Sequence, residues 1–197
     1  MLDMTANMPE FDPAYASQAA FRALMDCMAR PGTLRTLKGH DAPAPFAPAT
    51  AALIKYLADY ETPLWLDPAF AAEPKVVDWI RFHTGAPVTS RPHEAAFALI
   101  ADARALPDFA QFAQGTAEYP DRSTTLLVQV DDFSGRPLTL RGPGVKTTHD
   151  FAASPLPADF TARMAENRAL FPRGVDLVLV AGRDIAALPR SVTVMER

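Results

Sequence analysis

The hydrophobic positions of this chain change period many times, and each change marks an element. Phe21, Leu24, Met25 and Met28 fall at i, i+3, i+4 and i+7, the spacing of one helical face. Asp12-Pro13 ahead of them reads as an N-cap followed by proline at the first helical position, and Pro31-Gly32 reads as the stop. Residues 33–37 alternate weakly, as a short strand does. A second helix is expected from Pro48 with Leu53, Ile54, Leu57 and Tyr60 on one side, and a third over 74–82 burying Val76, Val77 and Ile80. Between them, residues 62–66 are short and apolar and suit a strand, and 96–101 are a candidate buried strand. A short helix is expected over 107–114. Residues 123–130 are rich in β-formers and are expected to pair as a hairpin with 138–141 across the turn containing Ser134-Gly135. Residues 145–151 read as a further strand and 158–170 as a helix with Phe160 and Met164 inward. The continuous apolar run 175–180 is what a central strand covered on both faces requires, and 191–195 alternate as a last strand.

Helices and strands therefore interleave throughout, which assigns the chain to the α/β class as a single three-layer domain with a mixed sheet. Residues 1–11 read as a tail and 12–197 as the domain, with no linker, repeat or low-complexity segment. Composition sharpens this picture. A length of 197 residues, 49% hydrophobic and 21% charged, supports a core without staples. One cysteine excludes a disulfide framework and a multi-cysteine metal site. A net charge of −4 argues against a nonspecific nucleic-acid surface. The first basic residue is Arg22 and the longest clearly apolar run spans 177–181, so neither a secretory signal nor a membrane helix is expected, and the expected location is the cytoplasm. The 19 prolines, about twice the usual share of ~5%, fit boundary marks between short elements better than disorder, because they are spread along the chain at expected helix ends and turns.

Several chemistries lack their signatures. The four histidines, His40, His83, His93 and His149, form no H-x-x-x-H pair, so no metal site is expected. No G-x-S-x-G elbow and no G-x-G-x-x-G fingerprint occur. Cys27 reads as a small helical residue rather than a nucleophile. A Schiff-base enzyme needs a lysine in a pocket, and of Lys38, Lys55, Lys75 and Lys146 the middle two look solvated.

What remains points to anions. In Gly142-Pro143-Gly144-Val145-Lys146-Thr147-Thr148 the glycines expose backbone N–H groups and Lys146 adds a cation, although the first glycine of a phosphate loop is missing; a plain turn between strands fits better. Arg81 and His83 offer a guanidinium and an imidazole for phosphate-type oxygens, yet the same residues before Gly85 and Pro87 suit a helix C-terminus better. Arg22, Arg141 and Arg190 are further basic candidates. Asp176, at the start of the central strand, is placed to orient an arginine or a ligand hydroxyl, or to cap a turn.

Six segments in order carry a family resemblance. The run Phe21-Arg22-Ala23-Leu24-Met25-Asp26-Cys27-Met28-Ala29-Arg30-Pro31-Gly32 resembles the start of the PhnH family, a subunit of the bacterial carbon–phosphorus lyase system. Thr62-Pro63-Leu64-Trp65-Leu66, Arg81-Phe82-His83-Thr84-Gly85-Ala86-Pro87, Leu140-Arg141-Gly142-Pro143-Gly144-Val145, Phe171-Pro172-Arg173-Gly174-Val175-Asp176-Leu177 and Leu188-Pro189-Arg190-Ser191 follow in the family's order. Cys27 departs from the alanine expected there. The resemblance implies a reduced version of the large domain of pyridoxal-phosphate-dependent transferases, without the cofactor or its lysine. It implies a homodimer alone and assembly with PhnG, PhnI and PhnJ. That assembly supports attack of a phosphonate on the ribose C1′ of ATP, adenine leaving to give a ribose 1-phosphonate 5-triphosphate. It implies no established catalytic residue and leaves open a phosphonate or nucleotide ligand on this subunit.

Overall fold

A computed structural model describes residues 13–197, so the expected Asp12 cap and the 1–11 tail lie outside the described residues. Its centre is a six-stranded mixed sheet. Strands β2 (Leu64–Leu66), β3 (Phe97–Ile100), β4 (Thr125–Gln129) and β7 (Asp176–Ala181) run parallel; β8 (Asp184–Leu188) returns antiparallel on β7, and β1 (Arg35–Thr36) closes that edge. A second, antiparallel sheet places β5 (Leu138–Arg141) between β6 (His149–Phe151) and β9 (Thr193–Glu196).

Strand pleating divides the core in two. Leu64, Leu66, Leu99, Leu127, Val178 and Val180 point to the face covered by α1 (Pro13–Ala29), α2 (Pro48–Leu57), α3 (Pro68–Ala71) and α4 (Pro74–Thr84). Ala98, Ile100, Leu126, Val128, Leu177 and Leu179 point to the other, covered by the second sheet, α5 (Phe160–Ala169) and the loop side chains Phe109 and Phe112. The result is three layers on a mixed sheet. Strands with apolar residues on both faces are buried strands, as the run 175–180 requires.

Four expectations fail for identifiable reasons. The strand at 138–141 does not form a hairpin with 123–130, because both edges of β4 are taken by β3 and β7; β5 instead founds the second sheet. The buried face of α1 is Ala20, Leu24 and Cys27, while Phe21 and Met25 are about half exposed. Small side chains let α1 lie close on β8, and that proximity outweighs the larger residues' transfer gain. Residues 107–114 supply only a 3₁₀ turn at Phe109–Gln111, stabilised by Asp108 accepting from the Ala110 N–H at 2.9 Å. Tyr60, expected on the α2 face, lies beyond the helix end and is exposed. The structure also adds β8, joined to β7 by the two-residue turn Gly182-Arg183, and the single-turn α3, neither of which the sequence reading contained.

Among the described glycines, Gly144 leaves the least room for a side chain. Its φ is +80°, and a Cβ there would sit 1.9 Å from the Ala29 carbonyl oxygen at the end of α1. Gly182 has φ +57° and open space around it. Gly182→Ala is expected to cost about 1 kcal/mol from backbone strain alone. Gly144→Ala adds the clash and is expected to cost about 3 kcal/mol. Urea midpoints at unchanged slope measure both.

Candidate functional site

Asp176 and Arg190 meet at the start of β7. Arg190 donates from Nε to Asp176 Oδ1 at 3.1 Å and from Nη2 to Oδ2 at 2.5 Å, and its backbone N–H reaches Oδ1 at 2.8 Å. Nη1 donates to the Pro120 carbonyl at 2.7 Å and reaches that of Pro172 at 3.4 Å, and Nη2 also meets Ser123 Oγ. All five guanidinium N–H groups are therefore engaged, and both side chains are only about one-eighth exposed, at 13% and 12%. The pair clamps the turn after β8 to the loops entering β4 and β7. Arg190, expected as a ligand candidate, holds no donor in reserve here.

The Gly142–Lys146 turn is built by packing as well. Gly142 has φ +135°, and a Cβ on it would lie 2.9 Å from the Ser191 carbonyl. Both glycines are thus required by close backbone approach, to the Ser191 turn and to the end of α1 respectively. The Val145 N–H closes the turn on the Gly142 carbonyl at 3.1 Å. Arg141 ends β5 opposite Thr193, and both Arg141 and Lys146 are exposed. The turn adjoins Ser191 and Val192, the residues that follow Arg190.

Arg81 and His83 lie in another layer. They occupy the last turn of α4, which Gly85 ends in the left-handed conformation at φ 69°, its N–H bonded to the Arg81 carbonyl at 3.0 Å. Arg81 is exposed. His83 is half-buried and stacks on Trp79 with ring centres 4.3 Å apart; His40, from the loop before α2, lies 5.7 Å from it. Lys55 of α2 places Nζ on His40 Nε2, and the Trp79 indole donates to the Asp41 carbonyl at 3.1 Å. Burial first, then the charges of Lys55 and His40, hold His83 below the ordinary imidazole range. Two of these four residues were not legible as a site. Lys55 reads as a solvated helix lysine and His40 as a loop residue, and only the packing of α2 on α4 brings them to His83.

The carboxyl ends of the parallel strands, where α/β sheets commonly hold ligands, are filled by this chain's own groups. Asp67 is 2% exposed, accepts from the Phe70 N–H at 2.8 Å as the cap of α3, and accepts from the Ala101 N–H at 2.8 Å. Gln129 accepts from the Ala47 N–H at 2.7 Å and donates to the Pro45 carbonyl at 2.8 Å, tying β4 to the loop entering α2. Along the outer side of α1, a groove of about 660 Å³ is lined by Tyr15, Gln18, Arg22, Asp26, Arg30 and Arg35, with Asp26 paired to both Arg30 and Arg35. Cys27 faces inward from the same helix, its thiol 3.3 Å from the Thr33 carbonyl, and burial pushes it up to about 11 against a small opposing effect of Arg35. Among the described residues, no group of three or more His, Cys, Asp or Glu is arranged to hold a metal, and no helix is long and apolar enough to cross a membrane.

The molecule is thus a mixed-sheet α/β protein with closed strand ends and basic clusters outside them. Its sequence places it more closely: the chain belongs to the PhnH family of bacterial phosphonate metabolism proteins, whose model matches residues 10–195. It is 48% identical over 190 residues to the alpha-D-ribose 1-methylphosphonate 5-triphosphate synthase subunit PhnH of Rhizobium meliloti (strain 1021), covering 94% of this chain and 93% of that protein. It is also 35% identical over 105 residues, 53% of each chain, to HtxG of Stutzerimonas stutzeri, which is named as a candidate C-P lyase subunit protein.

Arg190→Met leaves the Asp176 carboxylate enclosed without its cation, and is expected to lower unfolding free energy by about 3 kcal/mol. Adding Asp176→Asn removes the stranded charge, so the double variant should lose less than the sum of the single losses in a denaturant cycle. Cys27 is expected to resist a disulfide reagent at about pH 8, where only about one thiol in a thousand is ionised, and to react fully once urea unfolds the chain.

Proposed function

We propose that this chain is a non-catalytic subunit of the assembly that transfers a phosphonate to the ribose C1′ of ATP. Its partners there are PhnG, PhnI and PhnJ. Adenine leaves, and the product is a ribose 1-phosphonate 5-triphosphate whose C–P bond is cleaved later by the radical subunit. The observation that carries this reading is the near-full-length match, at 48% identity, to a protein named as a subunit of that synthase. The structure supports a scaffolding part. The strand ends are closed by Asp67 and Gln129, and Arg190 is fully engaged by Asp176, Ser123 and two carbonyls. In the same reading the fold is a reduced pyridoxal-phosphate transferase large domain that works without cofactor, forms a homodimer when alone, and operates in the cytoplasm.

Reconstitution tests it. The four subunits together are expected to release adenine from ATP when methylphosphonate is added. Leaving this chain out should remove most of that release, and the purified chain alone should give none. Robust phosphonate-dependent adenine release by the isolated chain would show a transferase in its own right and overturn the proposal.

A further inference from the structure

The cluster on the helix layer has an unusual charge arrangement. Lys55 from α2, His40 from the preceding loop and His83 from α4 bring three nitrogen bases together beside Trp79. Among the described residues, the Lys55 ammonium has His40 and not a carboxylate as its hydrogen-bond partner. In that contact the neutral form of His40 accepts at Nε2 and has its proton on Nδ1, which lies a weak 3.4 Å from the Asp41 carbonyl; a protonated His40 adds its charge to that of Lys55 beside His83. The ammonium retains two further N–H groups. Structural clusters of this kind are ordinarily completed by an acid, as Asp26 completes Arg30 and Arg35 on α1 and Asp176 completes Arg190.

We propose that Lys55, His40 and His83 form a binding site for a phosphate-class oxyanion, with the Trp79 ring as its wall. A tetrahedral oxyanion offers several acceptors; Lys55 has two N–H groups for it, and each imidazole gains a second N–H on protonation, His40 at the Nε2 that otherwise accepts from Lys55. The anion supplies the missing negative charge and so recruits protons onto the rings; binding strengthens as pH falls. The charged and titratable groups that reach His83 are Lys55 from α2 and His40 from the loop; on its own helix its neighbours are Trp79 and Phe82. Asp41, beside His40, is exposed and gives its carbonyl to Trp79. Burial, and then the charges of Lys55 and His40, hold the His83 ring toward its neutral form, and an anion beside it opposes both charges. The free oxyanion chemistry is common to a phosphonate, inorganic phosphate and the terminal phosphate of a nucleotide. The site is independent of the assembly proposed above and belongs to the isolated full-length chain.

The test is a histidine NMR titration of that chain at constant ionic strength. The ring resonances of its four histidines are followed with methylphosphonate, inorganic phosphate and ATP in separate arms, and assigned with His40→Gln and His83→Gln. Saturable shifts of His40 and His83, with titrations moved to higher pH and with His93 and His149 unmoved, are expected in at least one arm; the arm with the tightest saturation identifies the source. Affinity should rise between about pH 8 and about pH 6. Lys55→Met should weaken binding about tenfold or more, and Lys55→Arg should retain most of it. The proposal is overturned if His40 and His83 move no more than His93 and His149 in every arm. An affinity in Lys55→Met equal to that of the parent, with the fold intact by its other resonances, would overturn it as well. Neither result bears on whether adenine release by the assembly needs this subunit.

Discussion

Strand β7 can be buried on both faces only because its one charged residue is neutralised in place. Asp176 opens a strand whose next residues alternate Leu177, Leu179 to one core and Val178, Val180 to the other. A carboxylate beside such a strand loses most of its hydration, and Arg190 replaces it with hydrogen bonds from its side chain and backbone. The same guanidinium continues to the Pro120 carbonyl, at the entry to β4. One ion pair thereby sets the alignment of β4, β7 and β8, and through the following residues it positions β9, the edge on which the second sheet pairs.

That constraint also separates structure from chemistry. Near β7 and the glycine turn, Asp176, Arg190, Gly142 and Gly144 are consumed in holding layers together, while Arg141 and Lys146 stay exposed. Gly142 and Gly144 serve contacts that a side chain would block, with the Ser191 turn and the end of α1. Asp67 and Gln129 close the strand ends. Polar groups left with spare donors lie outside the sheet, on the helix layer, where Lys55, His40 and His83 meet around Trp79. Membership of the PhnH family places the chain in phosphonate metabolism.

Much of the architecture was legible because burial on two faces leaves a strong local signal. The runs 96–101, 123–130 and 175–180 appear as β3, β4 and β7, and Pro48, Pro74 and Gly85 mark helix boundaries through their dihedral restrictions. The alternation of β8 was hidden, since Asp184–Leu188 is short, alanine-rich and preceded by a Gly-Arg turn rather than the Asn-Gly or Asp-Gly pairs that advertise hairpins. The helical face of α1 was misread for a related reason: period alone counts Phe21 and Met25 as core candidates, whereas close packing on β8 selects Ala20 and Cys27.

By itself the sequence determined the α/β class, the central strand, most element boundaries and, through six ordered motifs, the family. These depend on local patterning and on short segments read one at a time. Tertiary structure alone decided which polar residues share a site. It joined Asp176 to Arg190 across 14 positions, and Lys55 to His40 across 15, and it set Arg81 and His83 in a different layer from Arg141 and Gly142. Pair geometry of that kind follows from how sheet twist and helix packing fill space, and no residue's immediate neighbours encode it.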